Sequence, residues 1–354
     1  MVTSQQVKAL AAGCGFDLCG IARAERHPKL ARLAEWIANG HAGEMTYLAE
    51  SLAERLDPLV SLPTAKSIIS VAVVYNTDQP YSTTVTDPER VAIARYAWGE
   101  DYHGVMRRRL RALLAALAAD ASPGFEALSS VDHEAIQERV FAEAAGLGWI
   151  GRNTCLINPQ LGSWLFLGEI ITNADLESDT PVADLCGTCT RCIEACPTQA
   201  INSCAGPAGS EPYTVDATKC LSYLTIETRG AVEESLRPAL GTQVYGCDIC
   251  QDVCPWNRKA AVSDDPAWQP REGLVFPRLI DLCTKTDEVW SATIKGSAMT
   301  RAGLHRVRRS LAYASGAQDA QEAQAALARH PSRSAPIVAD ALAWALTRRP
   351  VDPR

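Results

Sequence analysis

Two cysteine runs of nearly the same spacing lie in the middle of this chain and restrict what it can fold into. The first follows the pattern C-x₂-C-x₂-C-x₃-C-P and consists of Cys186, Cys189, Cys192 and Cys196-Pro197. The second repeats the later part of that pattern with Cys247, Cys250 and Cys254-Pro255. Its missing first cysteine is supplied by Cys220, and an insertion of 26 residues separates Cys220 from Cys247.

This spacing is typical of a segment that binds two [4Fe–4S] clusters. Each cluster needs four thiolates, a close triplet provides three of them, and the cysteine before proline reaches the neighbouring cluster. We therefore predict two ligand sets: Cys186, Cys189, Cys192 and Cys254 for the first cluster, and Cys196, Cys220, Cys247 and Cys250 for the second. Zinc is the main alternative, because C-x₂-C pairs also bind zinc, but a triplet followed by Cys-Pro, present twice, exceeds what tetrahedral zinc needs.

Length, charge and the other cysteines narrow the class of protein further. A chain of 354 residues exceeds one compact core and predicts two or three domains. Thirteen cysteines, an odd number, fit a reducing cytoplasm; the five outside the two sets are Cys14, Cys19, Cys155, Cys204 and Cys283. No export signal and no apolar run of about 18 residues is present, so we expect no membrane association. The net charge of −7 excludes a uniformly basic nucleic-acid-binding protein but leaves room for a local basic face.

The first 180 residues show an irregular mixture of strand and helix patterns. Apolar residues at helical spacing predict helices at 4–12, 30–39, 103–119 and 134–145. Apolar β-rich runs predict strands at 67–75, 91–96 and 127–131, and two short strands within 161–172. Because no clean βαβ repeat appears, an α+β fold is favoured over a doubly wound parallel sheet.

The end of the chain is alanine-rich and helical. We predict helices at 299–315, 317–328 and 335–347, and their pairing across short breaks suggests a HEAT-like repeat. From Arg301 onward nine arginines face four acidic residues, a net charge of +5 in an otherwise acidic protein. On charge alone, a solvated helix surface and a polyanion contact are equally good interpretations.

Two partial cofactor motifs do not support an assignment. The segment Gly146-Leu-Gly-Trp-Ile-Gly151 has the G-x-G-x-x-G count, but it follows a predicted helix and not a strand, so we interpret it as a loop. Asp101-Tyr-His103 opens the Asp-x-His-x-x-Gly cobalamin motif, but Met106 stands where the glycine belongs. We therefore interpret His103 as part of the first turn of its helix and not as a metal ligand.

Further motifs accompany the cysteines over about residues 10–260. They are Gly43-Glu-Met-Thr-Tyr47, Arg55 before Asp57-Pro58, Arg95-Tyr-Ala-Trp-Gly-Glu-Asp-Tyr-His103, Asp132, Arg139, Ala145-Gly-Leu-Gly-Trp-Ile-Gly151, Gly162-Ser-Trp-Leu-Phe-Leu-Gly-Glu169, Cys220-Leu-Ser-Tyr-Leu-Thr-Ile-Glu227 and Gly246-Cys-Asp-Ile-Cys-Gln251 with Pro255-Trp-Asn257. Together with the cysteines, this combination resembles the epoxyqueuosine reductase family, the iron–sulfur and cobalamin enzymes of tRNA queuosine biosynthesis, which are related to reductive dehalogenases.

The resemblance implies three parts and one reaction. The parts are an α+β cobalamin-binding catalytic domain (1–178), a two-cluster ferredoxin-like domain (179–260) and a C-terminal α-helical, HEAT-like tRNA-contacting region (261–354). The reaction is the two-electron reduction of the epoxide of epoxyqueuosine, at the wobble position of tRNA, to queuosine and water. Electrons would come from an external low-potential donor and pass through both clusters to base-off cobalamin. The protein is expected to be cytoplasmic and monomeric, and its other partner is tRNA with a queuosine-type anticodon.

The resemblance also implies roles for individual residues. Asp132 is expected to donate the proton to the leaving oxygen from a dry pocket that raises its pKa; the alternative is an N-cap for a helix beginning at Glu134. The expected cobalamin contacts are Arg55, Arg95, Asp132, Leu156, Leu167, Ser222, Arg229 and Asp248, and the insertion between Cys220 and Cys247 would bring the clusters to the corrin. The expected tRNA phosphate contacts are Arg301, Arg306, Arg308 and Arg309.

Three other functions remain open at this point. A reductive dehalogenase would share the clusters and cobalamin, but such enzymes usually have a twin-arginine signal, which Met1–Leu10 lacks. A non-catalytic two-cluster electron-transfer protein would bind no corrinoid. A zinc-containing RNA-binding protein would be colourless.

Overall fold

The computed structural model describes residues 2–132, 134–203 and 213–347, so Cys204 and the last seven residues lie outside the described ranges. The helices in chain order are α1 (Ser4–Gly13), α2 (Arg32–Ala38), α3 (Tyr47–Glu50), α4 (Leu52–Leu56), α5 (Pro58–Ser61), α6 (Tyr102–Asp120), α7 (Glu138–Ala144), α8 (Arg191–Glu194), α9 (Leu221–Ile226), α10 (Ile249–Asp252), α11 (Leu279–Thr284), α12 (Asp287–Ile294), α13 (Gly303–Ala317), α14 (Gln321–Arg329) and α15 (Pro336–Thr347).

The strands of the described ranges are mostly short. They are β1 (Leu18–Arg23), β2 (Ser67–Val74), β3 (Ala92–Ile93), β4 (Ala127–Ser130), β5 (Trp149–Ile150), β6 (Leu156–Ile157), β7 (Leu165–Thr172), β8 (Ile201–Ser203), β9 (Tyr213–Val215) and β10 (Gln243–Tyr245). None of the helices in these ranges is long and apolar enough to span a bilayer.

A four-stranded sheet organises the N-terminal half. Its strands lie in the order β1-β2-β7-β4, and every neighbouring pair is antiparallel. The two longest strands, β2 and β7, form its centre, where eight residue pairs run from Ser67–Thr172 to Val74–Leu165. β2 is buried along its whole length, which explains why its sequence is a continuous apolar run instead of an alternating one.

The two faces of this sheet are covered by different helices. Ile69, Val71 and Ile170 share a core with α1 and α6 on one face. Ile68 and Leu167 share a second core with α7 on the other face. β4 is an edge strand of this sheet, and the loop that follows it leads to α7 on the second face.

The C-terminal helices are not packed as a separate body. One hydrophobic core contains residues of β3 and the following turn, residues of α9 and β10 from the insertion, and residues of α11–α15. Tyr313 of α13 packs edge-on against Trp344 of α15. The apolar residues of α9 and β10, which lie in the insertion between Cys220 and Cys247, are therefore buried in a core shared with β3 and the C-terminal helices.

Most predicted elements are present, and several differ in their bounds. The helices predicted at 299–315 and 317–328 lie at Gly303–Ala317 and Gln321–Arg329. The 161–172 segment contains the single strand β7 instead of two short strands. The 91–96 strand is reduced to Ala92–Ile93, because a 3₁₀ turn begins at Arg95. The helix predicted from 134 begins at Glu138, since an irregular turn follows Asp132. The antiparallel sheet agrees with the predicted α+β arrangement of the N-terminal half.

Candidate active site and cluster-binding region

The structure brings the eight cysteines of the two runs together in two groups. Burial raises the pKa of Cys192 to about 11, and the charges of Cys254, Cys186 and Cys189 add to this effect. Burial also raises the pKa of Cys247 well above its usual value, with contributions from Cys220 and Cys196. The pKa of Cys250 is also raised well above its usual value, by its contact with Cys155, by burial and by the charges of Cys247 and Cys220. The cysteines of each predicted ligand set thus influence one another electrostatically, and we call the two groups the first and second thiol sets; that each set holds a cluster stays a prediction.

The donor chemistry of both sets fits a cationic iron–sulfur core. Burial and neighbouring thiols raise the pKa of Cys192 and of Cys247, so these thiols resist becoming thiolates, and a bound metal core would remove that resistance because it supplies the compensating positive charge. One scattered cysteine also belongs to this region, since the Cys155 thiol is hydrogen-bonded with that of Cys250. The spacing of the runs gave no reason to place Cys155 there.

The two thiol sets differ in how close they lie to the surface. Around the first set, the side chains of Asp184, Leu185 and Arg191 are exposed. The second set adjoins the buried residues Leu221 and Asp248. The surroundings of the first set are therefore the more exposed of the two, although Cys254 of that set is itself buried.

Asp132 lies in a strained loop directly after β4. Its backbone φ is +61°, a left-handed conformation that a non-glycine residue rarely adopts. The Asp132 N–H donates to Glu138 Oε1 over 2.5 Å, and the Val131 N–H donates to Glu134 Oε2 over 2.8 Å. Because the nearby carboxylates bind these backbone groups, the loop is held in this conformation.

The His103 imidazole contacts the Asp132 carboxylate directly. Its Nε2 lies 2.8 Å from Asp132 Oδ2, and its Nδ1 lies 2.7 Å from Asp101 Oδ1. Burial alone lowers the pKa of His103, but the two carboxylates outweigh burial and raise this pKa to about 9. The imidazole is therefore protonated at neutral pH and provides a proton next to the Asp132 carboxylate.

These contacts correct two expectations about Asp132. Its side chain is 51% exposed, so it does not lie in a dry apolar pocket, and its charged neighbour is an imidazolium. It is also not an N-cap, because α7 begins at Glu138 and Gln137 occupies the cap position. His103 does lie in the first turn of α6, as predicted, but its contact with Asp132 was not predicted.

A buried carboxyl group lies beside the end of β4, where the Asp132 loop begins. Glu169 of β7 pairs with Ser130 on one side and with Ser70 on the other. It is fully buried, and neither carboxyl oxygen has a hydrogen-bond partner within the described ranges. Burial, together with the nearby charge of Glu138, raises the pKa of Glu169 well above its usual value.

The segment Gly43–Tyr47 of the N-terminal half packs against the insertion between Cys220 and Cys247. Gly43 has φ +54°, and a Cβ there would lie 2.2 Å from the Tyr223 hydroxyl oxygen, so only glycine fits. The Glu44 N–H donates to that hydroxyl over 2.6 Å. The Glu44 carboxylate accepts the backbone N–H of Arg229 at 3.1 Å.

The predicted cobalamin residues fall into separate groups. Arg55, Asp132 and Arg229 lie around the 43–47 segment: the Arg55 Cζ is 6.0 Å from the Tyr47 ring centroid, and the charge of Asp132 acts on both Arg55 and Tyr47. Ser222 lies on α9, next to Tyr223.

Arg95 and Asp248 form a second, buried group. The Asp248 carboxylate accepts the Arg95 backbone N–H at 2.6 Å. The Arg95 guanidinium donates to Thr77 and to the carbonyls of Gln79 and Pro80. This corrects the expectation that the Arg95 guanidinium addresses the corrin, because its donors stabilise the 77–80 segment instead.

Leu156 and Leu167 belong to the core beneath α7, where they are 3% and 9% exposed. Their side chains are therefore covered, which leaves their backbone atoms for a cofactor. Asp132 and Arg229 border a polar surface that is open to solvent, and α9 begins directly after Cys220 of the second thiol set. An open polar surface next to that set fits a large group with amide substituents such as a corrin.

The four arginines predicted to contact tRNA phosphates differ in exposure. Arg308 and Arg309 are fully buried, which corrects the prediction for both. Arg309 donates to the carbonyls of Leu224, Thr228 and Gly230, and Arg308 donates to those of Leu282 and Lys285. The half-buried Arg306 donates to the Ile226 carbonyl at 2.7 Å, and only Arg301 is exposed.

Taken together, an antiparallel α+β core, a strained loop with a carboxylate–imidazole contact and two four-thiol sets define the class of iron–sulfur oxidoreductases. Two family models match the chain: the 4Fe-4S double cluster binding domain over residues 185–257, and "Epoxyqueuosine reductase QueG, DUF1730" over residues 55–133. The epoxyqueuosine reductase of Xanthomonas campestris is 38% identical over 347 residues, which cover 97% of this chain and 95% of that protein.

Solved structures agree with the sequence comparison. An epoxyqueuosine reductase crystallised with an epoxyqueuosine-modified stem loop of tyrosine tRNA has a TM-score of 0.84 at 28% identity, covering 97% of this chain and 88% of that one. The Bacillus subtilis epoxyqueuosine reductase, with its catalytic aspartate loop swung out of the active site, has a TM-score of 0.83 at 29% identity, covering 96% and 88%. The chain belongs to the epoxyqueuosine reductase family, and it is an oxidoreductase.

Proposed function

We propose that this chain reduces the epoxide of epoxyqueuosine, at the wobble position of tRNA, to queuosine. Electrons from an external low-potential donor would pass through two [4Fe–4S] clusters to base-off cobalamin. Family membership and the tRNA stem loop bound by a relative support the substrate. The observation on which the chemistry rests most is the contact of Asp132 with a protonated His103 on an open surface near the second thiol set.

The protein's own residues would supply the protons. Converting an epoxide to an alkene and water consumes two electrons and two protons, and the leaving oxygen must be protonated as its C–O bonds break. Bound cobalamin would supply a strongly reducing cobalt centre, fed one electron at a time by the clusters. Asp132 Oδ2 would receive a proton from His103 Nε2 and present it to the epoxide oxygen. The strained loop would keep that carboxyl facing outward.

The remaining parts of the site would bind and separate the partners. Arg55, Ser222 and Arg229 would hold the cobalamin edge, and the backbone at Leu156 and Leu167 would approach its ring. The electron donor would approach the exposed side of the first thiol set, and the substrate would bind at the separate open surface beside Asp132. We propose that the protein works as a cytoplasmic monomer with domains at 1–178, 179–260 and 261–354, the last being HEAT-like and contacting tRNA.

Asp132→Asn tests this proposal directly. The protein would be reconstituted anaerobically with iron, sulfide and cobalamin, and epoxide loss from modified tRNA would be followed by mass spectrometry. Asparagine keeps the size and the hydrogen bond to His103 but donates no acidic proton, so we expect turnover to fall about 100-fold or more. Asp120→Asn, at the exposed end of α6, is the matched control and should match wild type. Full turnover by Asp132→Asn would exclude this residue as the proton donor.

A further inference from the structure

The Tyr47 side chain has no part in the chemistry proposed above, although its segment is firmly held. The ring is 38% exposed, which is unusual for a large side chain whose neighbours at Gly43 and Glu44 are fixed against the insertion. Two guanidiniums lie near it: the Cζ of Arg55 is 6.0 Å from the ring centroid, and the Cζ of Arg301 is 5.8 Å from it. Residues from three distant parts of the chain therefore meet at one exposed aromatic ring.

Two hydrogen bonds to Glu227 fix the orientation of the Arg301 guanidinium. Its Nε donates to Glu227 Oε1 and its Nη2 donates to Glu227 Oε2, each over 3.0 Å. Parallel hydrogen bonds of this kind fix the guanidinium and the carboxylate in one plane. The side chain of Arg301 is still 53% exposed, so this planar pair is open to solvent beside Tyr47. We call Tyr47, Arg301 and Glu227 the planar platform.

The platform adjoins the candidate active site. The charges of Glu227, Arg301, Asp132 and Arg55 all act on the Tyr47 phenol, which places these groups in one neighbourhood. The charge of Asp132 likewise acts on Arg301. A ligand that reaches Asp132 therefore passes close to the platform.

The charge of the platform argues against a phosphate contact. Glu227 neutralises Arg301, so a phosphate would meet a carboxylate as well as the guanidinium. What remains is an exposed phenol ring with the Arg301 guanidinium over it, 5.8 Å from the ring centroid, and both are polarisable planar groups on which a base can stack. Unpaired bases of RNA loops are bound in this way, by stacking on aromatic rings and on arginine planes.

We propose that the planar platform binds a nucleobase of the anticodon loop by stacking, next to the modified base whose epoxide faces Asp132. This inference rests on the proposed tRNA substrate and deepens it. Sequence-specific RNA recognition depends on unpaired bases, and a rigid platform beside the reactive carboxylate would fix the loop so that the modified substituent enters in one orientation. Arg301 would thus contribute to tRNA binding through its plane and not through its charge.

Binding of an unmodified stem loop by the reconstituted holoenzyme tests the proposal. The probe is a tyrosine-tRNA anticodon stem loop with guanine at the wobble position, which binds without turnover. Because stacking of one base contributes about 1–3 kcal/mol, we expect Tyr47→Ala to weaken binding roughly 5- to 150-fold. Tyr47→Phe keeps the ring and should bind as wild type does. The double variant Arg301→Gln/Glu227→Gln keeps the local net charge and should also weaken binding.

The salt dependence distinguishes stacking from a phosphate contact. A stacking contact leaves the slope of log affinity against log salt unchanged in Tyr47→Ala, whereas loss of one phosphate contact reduces the slope by about 0.7–0.9. Wild-type affinity in Tyr47→Ala, or a reduced slope, overturns the proposal. So does a loss of bound cobalamin in that variant, measured by absorbance, because the ring would then hold the corrin. A holoenzyme that binds through Tyr47 yet leaves the epoxide intact would refute the proposed reaction and not the platform.

Discussion

At the scale of single residues, Asp132 and His103 show where sequence reasoning succeeds and where it stops. Asp132 was identified through the family motifs, and the position of His103 in the first helical turn followed from its spacing. Their contact joins residues 29 positions apart, and only the sheet edge and the loop after β4 bring them together. No periodicity encodes such a contact, so the imidazolium that replaces the expected dry pocket was not predictable.

The raised pKa of His103 predicts a pH-dependent stability. Because the folded-state pKa is about 9 and the ordinary value is 6.5, protonation stabilises the fold below pH 6.5, and this contribution is lost as the pH rises through 9. The contribution is roughly 3 kcal/mol at most. In denaturant unfolding between pH 6 and pH 10, His103→Gln should therefore lose stability relative to wild type at pH 6 and approach it at pH 10. His305→Gln, on the exposed side of α13, should show a constant difference.

At the scale of elements, β2 and α6 were predicted within a residue of their bounds, because a continuous apolar run and a long amphipathic pattern are strong local signals. β7 was divided in two because Gly168 interrupts its pattern. That glycine is required by packing, since a Cβ there would lie 3.0 Å from Leu110 of α6. That α13 is a central buried helix was also not predictable from its sequence. Arginines usually lie at the surface, but Arg308 and Arg309 of α13 are buried.

Arg309 of α13 is predicted to stabilise the insertion. Its guanidinium binds the carbonyls of Leu224, Thr228 and Gly230, so Arg309→Ala would leave the buried carbonyls of Leu224 and Thr228 without this partner. We expect a loss of about 3–5 kcal/mol in the free energy of unfolding, seen as a lower Tm. Arg329→Ala, at the exposed end of α14, should change it by less than about 0.5 kcal/mol. Equal effects of the two substitutions would contradict this role.

At the scale of the whole molecule, one core extends from β3 through the insertion to α15. The domain bounds implied by the family resemblance divide the chain into consecutive segments, and such a division does not show which distant segments share a core. We expect the insertion and the C-terminal helices to unfold together. In native-state hydrogen exchange, amides of β10 and α13 should therefore open with the same free energy. Much faster exchange in α13 than in β10 would show that the helices unfold independently.

The exposed surroundings of the first thiol set have a consequence for how oxygen would damage the protein. Oxygen reaches the exposed residues Leu185 and Arg191 before it reaches the surroundings of the second set at the buried Leu221, so oxidation would begin at the first thiol set. A molecule oxidised there would keep its second set, its insertion and its open surface. Under the function proposed above it would still occupy tRNA without turning it over, so a partly oxidised population would compete with intact molecules for substrate.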